Sequence, residues 1–190
     1  RGLGDVYKRQ SREFAHTRRK NLLLRDLDEL VNQQLSKMLF ANPQRIDYYD
    51  RYQEIIDAYN AEQNRATIEK TFMDLMELAS SLDTEQQRYV REGFSSDEEL
   101  SVYDLLFSEN LTKQEIETIK KVSVDLLTKI KQQIAKLDHW TDKQETKAIV
   151  DNLIRNTLWQ ELPNSYDVSD IQTYQKKIYE YVYMRYPEVA

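Results

Sequence analysis

Three observations predict an all-α fold for this chain, an irregular bundle of about six or seven helices. Apolar residues recur three and four positions apart almost throughout, the spacing that lines one face of an α-helix, and no run of strict alternation is long enough to make a strand. Three glycines and three prolines serve 190 residues, and two of those glycines fall within the first four positions, so few turn-formers remain for hairpins. Ser/Thr-x-x-Glu/Gln pairs, finally, stand where apolar periodicity begins, at Thr84/Gln87, Ser96/Glu99, Thr112/Glu115, Thr141/Gln144 and Ser169/Gln172. In such a pair the hydroxyl accepts from one orphan backbone N–H and the longer side chain reaches back to another, each cap being worth ~1 kcal/mol.

The elements follow in order. Leu24, Leu27, Val31, Leu35 and Met38 line a first helix that stops before Asn42-Pro43, because proline disfavours helical backbone in the residue before it. Tyr48, Tyr52, Ile55, Ile56 and Tyr59 line a second. A third, with Ile68, Phe72, Leu75, Met76 and Ala79 inward, ends near Leu82 or runs on through a weak break at Asp83-Thr84 toward Val90. Gly93 is the natural residue to close it, since glycine takes the left-handed conformation at little steric cost. The fourth helix starts after Ser96 and buries Leu100, Tyr103 and Phe107, with Val102 and Leu106 widening the stripe. A fifth, over residues 113–137, carries Ile116, Ile119, Leu126, Ile130, Ile134 and Leu137 and is long enough to act as a central strut. The sixth covers residues 142–161 with Ile149, Leu153, Thr157 and Leu158 inward, and stops before Pro163. The seventh covers residues 170–185 with Ile171, Tyr174, Ile178, Tyr181 and Val182 inward, and Pro187 ends it.

With 40% hydrophobic residues the chain can bury a real core, and residues 11–190 read as a single helical domain. The absence of cysteine excludes a disulfide framework and thiolate metal sites, and fits a reducing cytoplasm. No apolar run approaches the ~18 residues that suggest a membrane span, so no membrane partner is expected. The formal charge of −6 is unevenly spread: residues 1–25 hold eight Lys/Arg against Asp5 and Glu13, a balance of +6, which leaves −12 on the remainder. Arg12, Arg18, Arg19, Lys20 and Arg25 are therefore the candidates for contact with a DNA backbone, the sequence-independent term of nucleic-acid binding. A solvated amino-terminal arm is the plainer account of them. Residues 1–10, which begin without methionine and contain Asp5-Val6-Tyr7-Lys8-Arg9-Gln10, read as the translated end of a transposon used in library preparation, and hence as a cloning or sequencing scar on a chain truncated at its amino side.

Motifs with a chemistry of their own are scarce. No Gly-x-x-x-x-Gly-Lys loop can be built from these glycines, which removes a self-contained nucleotide motor. His16 and His139 lack His or Cys partners at metal spacing, so no metal ligand is assigned. Glu145-Thr146-Lys147 matches the Glu-x-Lys half of a restriction-type nuclease, in which the Glu helps hold Mg²⁺ and the Lys steadies the phosphate. That geometry belongs to adjoining strands, whereas these residues fall on a predicted helix, where a solvated face accounts for them. Asp97-Glu98-Glu99 suits the first turn of a helix, where the backbone dipole favours negative charge. Thirteen tyrosines concentrate at 48–59 and 174–186. Most serve a core rim, and Tyr179, Tyr183 and Tyr186 on the last helix form the candidate partner surface, because aromatic rings give large contact area at low entropy cost.

Three segments, in order, resemble the carboxy-terminal helical region of the type I restriction enzyme R subunit. They are Gly93-Phe94-Ser95-Ser96-Asp97-Glu98-Glu99-Leu100-Ser101-Val102-Tyr103-Asp104-Leu105-Leu106-Phe107, the run Asp47-Tyr48-Tyr49-Asp50-Arg51-Tyr52-Gln53-Glu54-Ile55-Ile56-Asp57-Ala58-Tyr59-Asn60, and Asp138-His139-Trp140 followed by a charged helix with Ile149, Leu153, Ile154 and Arg155. The order and spacing hold over roughly residues 20–165. Asn152, Asn156 and Thr157 depart from the family's basic run after the Trp, so no backbone-contact role is carried over there. The resemblance implies a tail that docks an ATP-driven DNA translocase and Mg²⁺-dependent endonuclease onto the methyltransferase and specificity subunits, in bacterial defence. ATP and Mg²⁺ then belong to the parent protein. No family catalytic residue falls within the chain, so the implied fragment holds no cofactor and neither cleaves DNA nor hydrolyses ATP. The alternative is a helical DNA-contact module acting through the basic amino-terminal arm.

Overall fold

The computed structural model describes residues 2, 4–6, 8–9 and 20–188. Two compact units divide the chain between Arg91 and Glu92. The first holds α1 (Lys20–Ala41), a 3-10 turn (Pro43–Arg45), α2 (Ile46–Ala61), α3 (Arg65–Gln86) and the single-turn α4 (Arg88–Arg91). The second holds α5 (Asp97–Leu106), α6 (Lys113–Ile134), α7 (Gln144–Glu161) and α8 (Val168–Arg185). Among the described residues there is no strand. The all-α expectation therefore holds, but the helical elements from Lys20 to Arg185 number nine rather than six or seven. The two extra pieces are the 3-10 turn and α4, each too short for a hydrophobic period to announce.

In the first unit, α3 packs against both α1 and α2. The five α1 residues expected inward are all buried, and they meet Tyr52 of α2 and Phe72, Leu75, Leu78, Ala79 and Leu82 of α3. Polar pairs set the helix directions. Lys20 reaches Glu69, Tyr52 reaches Asp28, and Arg45 reaches both the carbonyl of Met38 and the carboxylate of Glu85, so α1 and α3 run alike and α2 runs against them. The expected helix start at Thr84 is corrected: α3 continues through it, and the Thr84 hydroxyl donates to the Ser80 carbonyl at 3.1 Å.

One end of this bundle closes on a buried carboxylate. Arg45 Nε donates to Glu85 Oε1 at 3.1 Å with both side chains almost fully buried, Arg88 Nε lies 3.0 Å from each Glu85 oxygen, and the Tyr48 hydroxyl donates at 3.5 Å. Five segments converge there: the end of α1, the turn, the start of α2, the end of α3 and the start of α4. Burial pushes the Glu85 carboxyl upward, but the hydrogen bonds from Arg88 and Arg45 outweigh it and hold it below the usual glutamate range.

The second unit is a ring of four helices in which α5 packs on α6, α6 on α7, α7 on α8, and α8 closes on α5. Its core includes Leu100, Leu106, Ile119, Leu126, Ile130, Ile154, Leu158, Ile178 and Val182. Where helices approach closely, Ser101, Ser123 and Thr157 are buried with their hydroxyls donating to the carbonyls of Asp97, Ile119 and Leu153, so small polar side chains fill the seam without orphaned groups. Thr112 and Glu115 form the complete reciprocal cap of α6, and Ser96 caps α5. Gly93 takes a φ of +85°, as a helix-closing glycine should.

Several local expectations are corrected. Phe107 lies beyond the end of α5 and is 43% exposed, while Leu105 joins the buried stripe. α6 ends at Ile134 rather than residue 137. On α7, Val150 and Ile154 turn inward and Ile149 is 42% exposed, because this helix packs on both α6 and α8 and its buried arc is rotated by one residue. α7 is led by Lys143 without a side-chain cap, and the Thr141/Gln144 pair is not used. α8 begins at Val168 on a reciprocal Asp167/Asp170 cap, which leaves Ser169/Gln172 inside the helix. The loop before α8 is tied back by an aromatic: the buried Tyr166 hydroxyl donates to the Leu106 carbonyl at the end of α5 at 2.5 Å.

Removing Glu85 takes the carboxylate counter-charge away from the buried Arg45 guanidinium. Glu85→Ala is expected to cost roughly 3–5 kcal/mol in urea unfolding. Because the folded-state pKa of Glu85 is depressed, its contribution is complete above the ordinary glutamate range and disappears as pH falls through the depressed value. Stability measured from pH 7 down to 3 should therefore fall less steeply in Glu85→Gln than in the parent chain, and parallel curves would contradict this.

Candidate partner-binding surface

The best-defined aromatic site of the second unit is built around Trp140. After α6 the chain turns through His139, which adopts a left-handed φ of 45°, and places the neighbouring indole in a fully buried position. Trp140 Nε1 donates to the Tyr186 carbonyl at 2.7 Å, fastening the segment that follows α8, and the Trp140 carbonyl accepts from the Thr146 hydroxyl at 2.6 Å, fastening the start of α7. Tyr179 and Tyr183, one turn apart on α8, meet the indole edge-on at 6.1 and 5.8 Å and face each other at 6.1 Å. Edge-to-face pairs of this kind are worth ~0.5–1.5 kcal/mol beyond their buried area. Tyr183 remains 38% exposed, with the Lys147 ammonium 6.0 Å from its ring centroid.

A groove of about 510 Å³ runs beside this pair, between α7 and α8. Lys147 and Asp151 stand on one wall, and Gln172, Gln175 and Tyr179 on the other. Gln175 Nε2 donates to Asp151 Oδ1 at 3.0 Å across it. Burial, and then the Asp151 charge, push the Tyr179 phenol above its ordinary pKa, so it stays a neutral donor.

The tyrosine trio expected from sequence divides. Tyr179 and Tyr183 share the Trp140 patch, whereas the Tyr186 ring packs edge-on against Tyr181 at 6.1 Å with the Lys131 ammonium 5.5 Å away. Burial, together with Tyr181 and Glu98, drives the Tyr186 phenol far above its ordinary value. Of the basic arm, Arg12, Arg18 and Arg19 lie outside the described residues. Lys20 Nζ sits 2.6 Å from Glu69 Oε1, which Arg65 also contacts at 3.3 Å, and Arg25 is exposed on α1.

The weaker motifs are placed as follows. Glu145 and Lys147 sit on the first turn of α7. Glu99 accepts from the Ser95 N–H at 3.0 Å and Glu98 pairs with Lys131, so the acidic start of α5 is used within the fold. His139 is exposed between Glu188 at 3.2 Å and Asp138 at 3.4 Å. Among the described residues, no group of three or more His, Asp or Glu is arranged to hold a metal ion. No described helix is long and apolar enough to cross a membrane. Trp159, 49% exposed on α7, is an apolar surface residue that the sequence pattern did not single out, since its neighbour Leu158 carries the buried stripe.

Residues 6–186 match the family described as type I restriction enzyme HindI endonuclease subunit-like, C-terminal. The chain belongs to this family. The resemblance carried by the Gly93–Phe107, Asp47–Asn60 and Asp138–Trp140 segments is thereby borne out. No curated protein and no solved structure matches the chain. In this C-terminal restriction-subunit region, all three segments are structural: they supply the core of α5, the Tyr52 contact of α2 and the Trp140 plug.

Trp140→Phe keeps a ring in place but removes the only donor to the Tyr186 carbonyl named above. A loss of about 1 kcal/mol is expected in thermal unfolding, against roughly 3–5 kcal/mol for Trp140→Ala. Equal losses in the two variants would show that the indole N–H carries the whole effect.

Proposed function

We propose that this C-terminal region is an assembly module, docking the motor subunit of a type I restriction enzyme onto its methyltransferase and specificity subunits in the cytoplasm. Family membership supports the setting. The observation that carries the docking role is the Tyr179/Tyr183 pair, held rigid against buried Trp140 at the lip of the α7/α8 groove. Aromatic side chains whose rotamers are already fixed by packing lose little entropy on binding, and such residues dominate interface energetics. The ATP-driven translocation, the Mg²⁺-dependent cleavage and the DNA contact of the enzyme are assigned to the parent subunit and its assembly, with this region serving as their attachment.

The DNA-contact alternative draws less support, because Lys20 is committed to Glu69 and Arg25 is the one exposed, described member of the arm. Capture of a purified methyltransferase–specificity complex tests the docking role directly. Tyr179→Ala combined with Tyr183→Ala should weaken capture at least tenfold, the effect of losing one interface hot spot, with helicity by circular dichroism retained. Undiminished capture by the double variant would overturn the assignment of this face. Salt-dependent retention of duplex DNA by residues 11–190, without capture of the complex, would favour the alternative.

A further inference from the structure

The groove between α7 and α8 carries a charge pattern that the aromatic pair beside it does not explain. Lys147 and Asp151 stand four residues apart on α7, the spacing at which oppositely charged side chains meet along a helix. Lys70 and Asp74, in the same order on α3, lie 3.8 Å apart, and Lys129 reaches Asp125 at 2.8 Å on α6. In the groove the corresponding pair is not made. Gln175 of α8 takes the Asp151 carboxylate at 3.0 Å, and the Lys147 ammonium lies 6.0 Å from the centroid of the Tyr183 ring instead. Lys176 lines the opposite wall. Neither lysine makes an ion pair among the described residues.

The other lining groups add donors. Gln144 and Gln172 present side-chain amides, and the Tyr179 phenol is kept in its neutral, donating form. A groove with two cations and several neutral donors is complemented by negatively charged acceptors. Carboxylates of a protein and phosphates of a nucleic acid both answer that description, and the arrangement favours the first. A nucleic-acid backbone is a continuous line of charge, which here would have to pass the Asp151 carboxylate on a chain whose formal charge is −6. A folded partner can set carboxylates against the lysines and a neutral side chain against Asp151. We propose that the groove receives an acidic segment of a partner subunit, with one carboxylate on Lys147, another on Lys176 and an apolar side chain on the Tyr183 ring. This inference rests on the docking role proposed above and specifies the chemistry of what docks.

NMR titration of the full chain with two helical peptides, one of repeated Glu-Ala-Leu-Ala and the other of repeated Gln-Ala-Leu-Ala, reads the preference directly. The glutamate peptide should bind saturably, shift the amides of residues 144–151 and 172–179, and bind roughly fivefold or more tighter than the glutamine peptide. Lys147→Glu combined with Lys176→Glu should weaken the glutamate peptide roughly tenfold or more and leave the glutamine peptide unchanged. Lys147→Arg combined with Lys176→Arg keeps both charges and should keep the preference. Equal affinity for the two peptides, no saturable binding of either, or binding of short duplex DNA that the charge reversal abolishes, overturns the proposal. Capture of the purified methyltransferase–specificity complex by the same variants separates this inference from the docking role. Capture lost in the charge reversal and kept in the arginine pair supports both. Undiminished capture by the charge reversal overturns the acidic segment and leaves docking standing, whereas failure of the parent chain to capture the complex overturns docking, and the peptide preference alone then decides the chemistry of the groove.

Discussion

Each of the seven long helices among the described residues carries an apolar stripe that cannot be left in water, and concealing those stripes is the constraint from which the architecture follows. In the first unit three stripes meet around Leu27, Val31, Phe72 and Leu75, all fully buried. In the second, four helices close a ring, so each hides its stripe against two neighbours. At about 25 cal/mol per Å² of apolar surface removed from water, this burial is the dominant favourable term, and the polar contacts act mainly to decide which packing is adopted.

Those polar contacts cluster where helices end. The Glu85 carboxylate, gripped by Arg45 and Arg88, gathers the ends of α1 and α3 with the turn between α1 and α2. Trp140 and Tyr166 do the corresponding work in the second unit, the first through its indole N–H and the second through its phenolic hydroxyl, each donating to a distant backbone carbonyl. Buried ion pairs rarely add net stability over a well-packed apolar alternative, but once present they penalise any arrangement that separates the partners. A chain with few glycines and prolines to fix its turns thus fixes them by anchoring side chains. The same anchoring orients an aromatic pair, since Tyr179 and Tyr183 pack edge-on against the buried indole beneath them.

The helical class was legible in the sequence because a 3.6-residue period in apolar residues has one cheap solution. The seven long helices, the Ser96 and Thr112 caps, the stop before Asn42-Pro43 and the closing role of Gly93 follow from local rules that depend on a few neighbouring residues. The family segments were legible as well, since they are strings. What only the tertiary structure decided lies in contacts between residues far apart in the chain. It rotated the buried arc of α7 from Ile149 to Val150, because that helix answers to two partners at once. It chose Asp167 over Ser169 to start α8, drew Tyr186 away from Tyr179 and Tyr183, and paired Lys20 with Glu69. Arg45 and Glu85 are separated by forty positions, and no periodicity links them. Only when the stripes are packed do such residues meet, because the free energy that joins them comes from burial shared by the whole bundle.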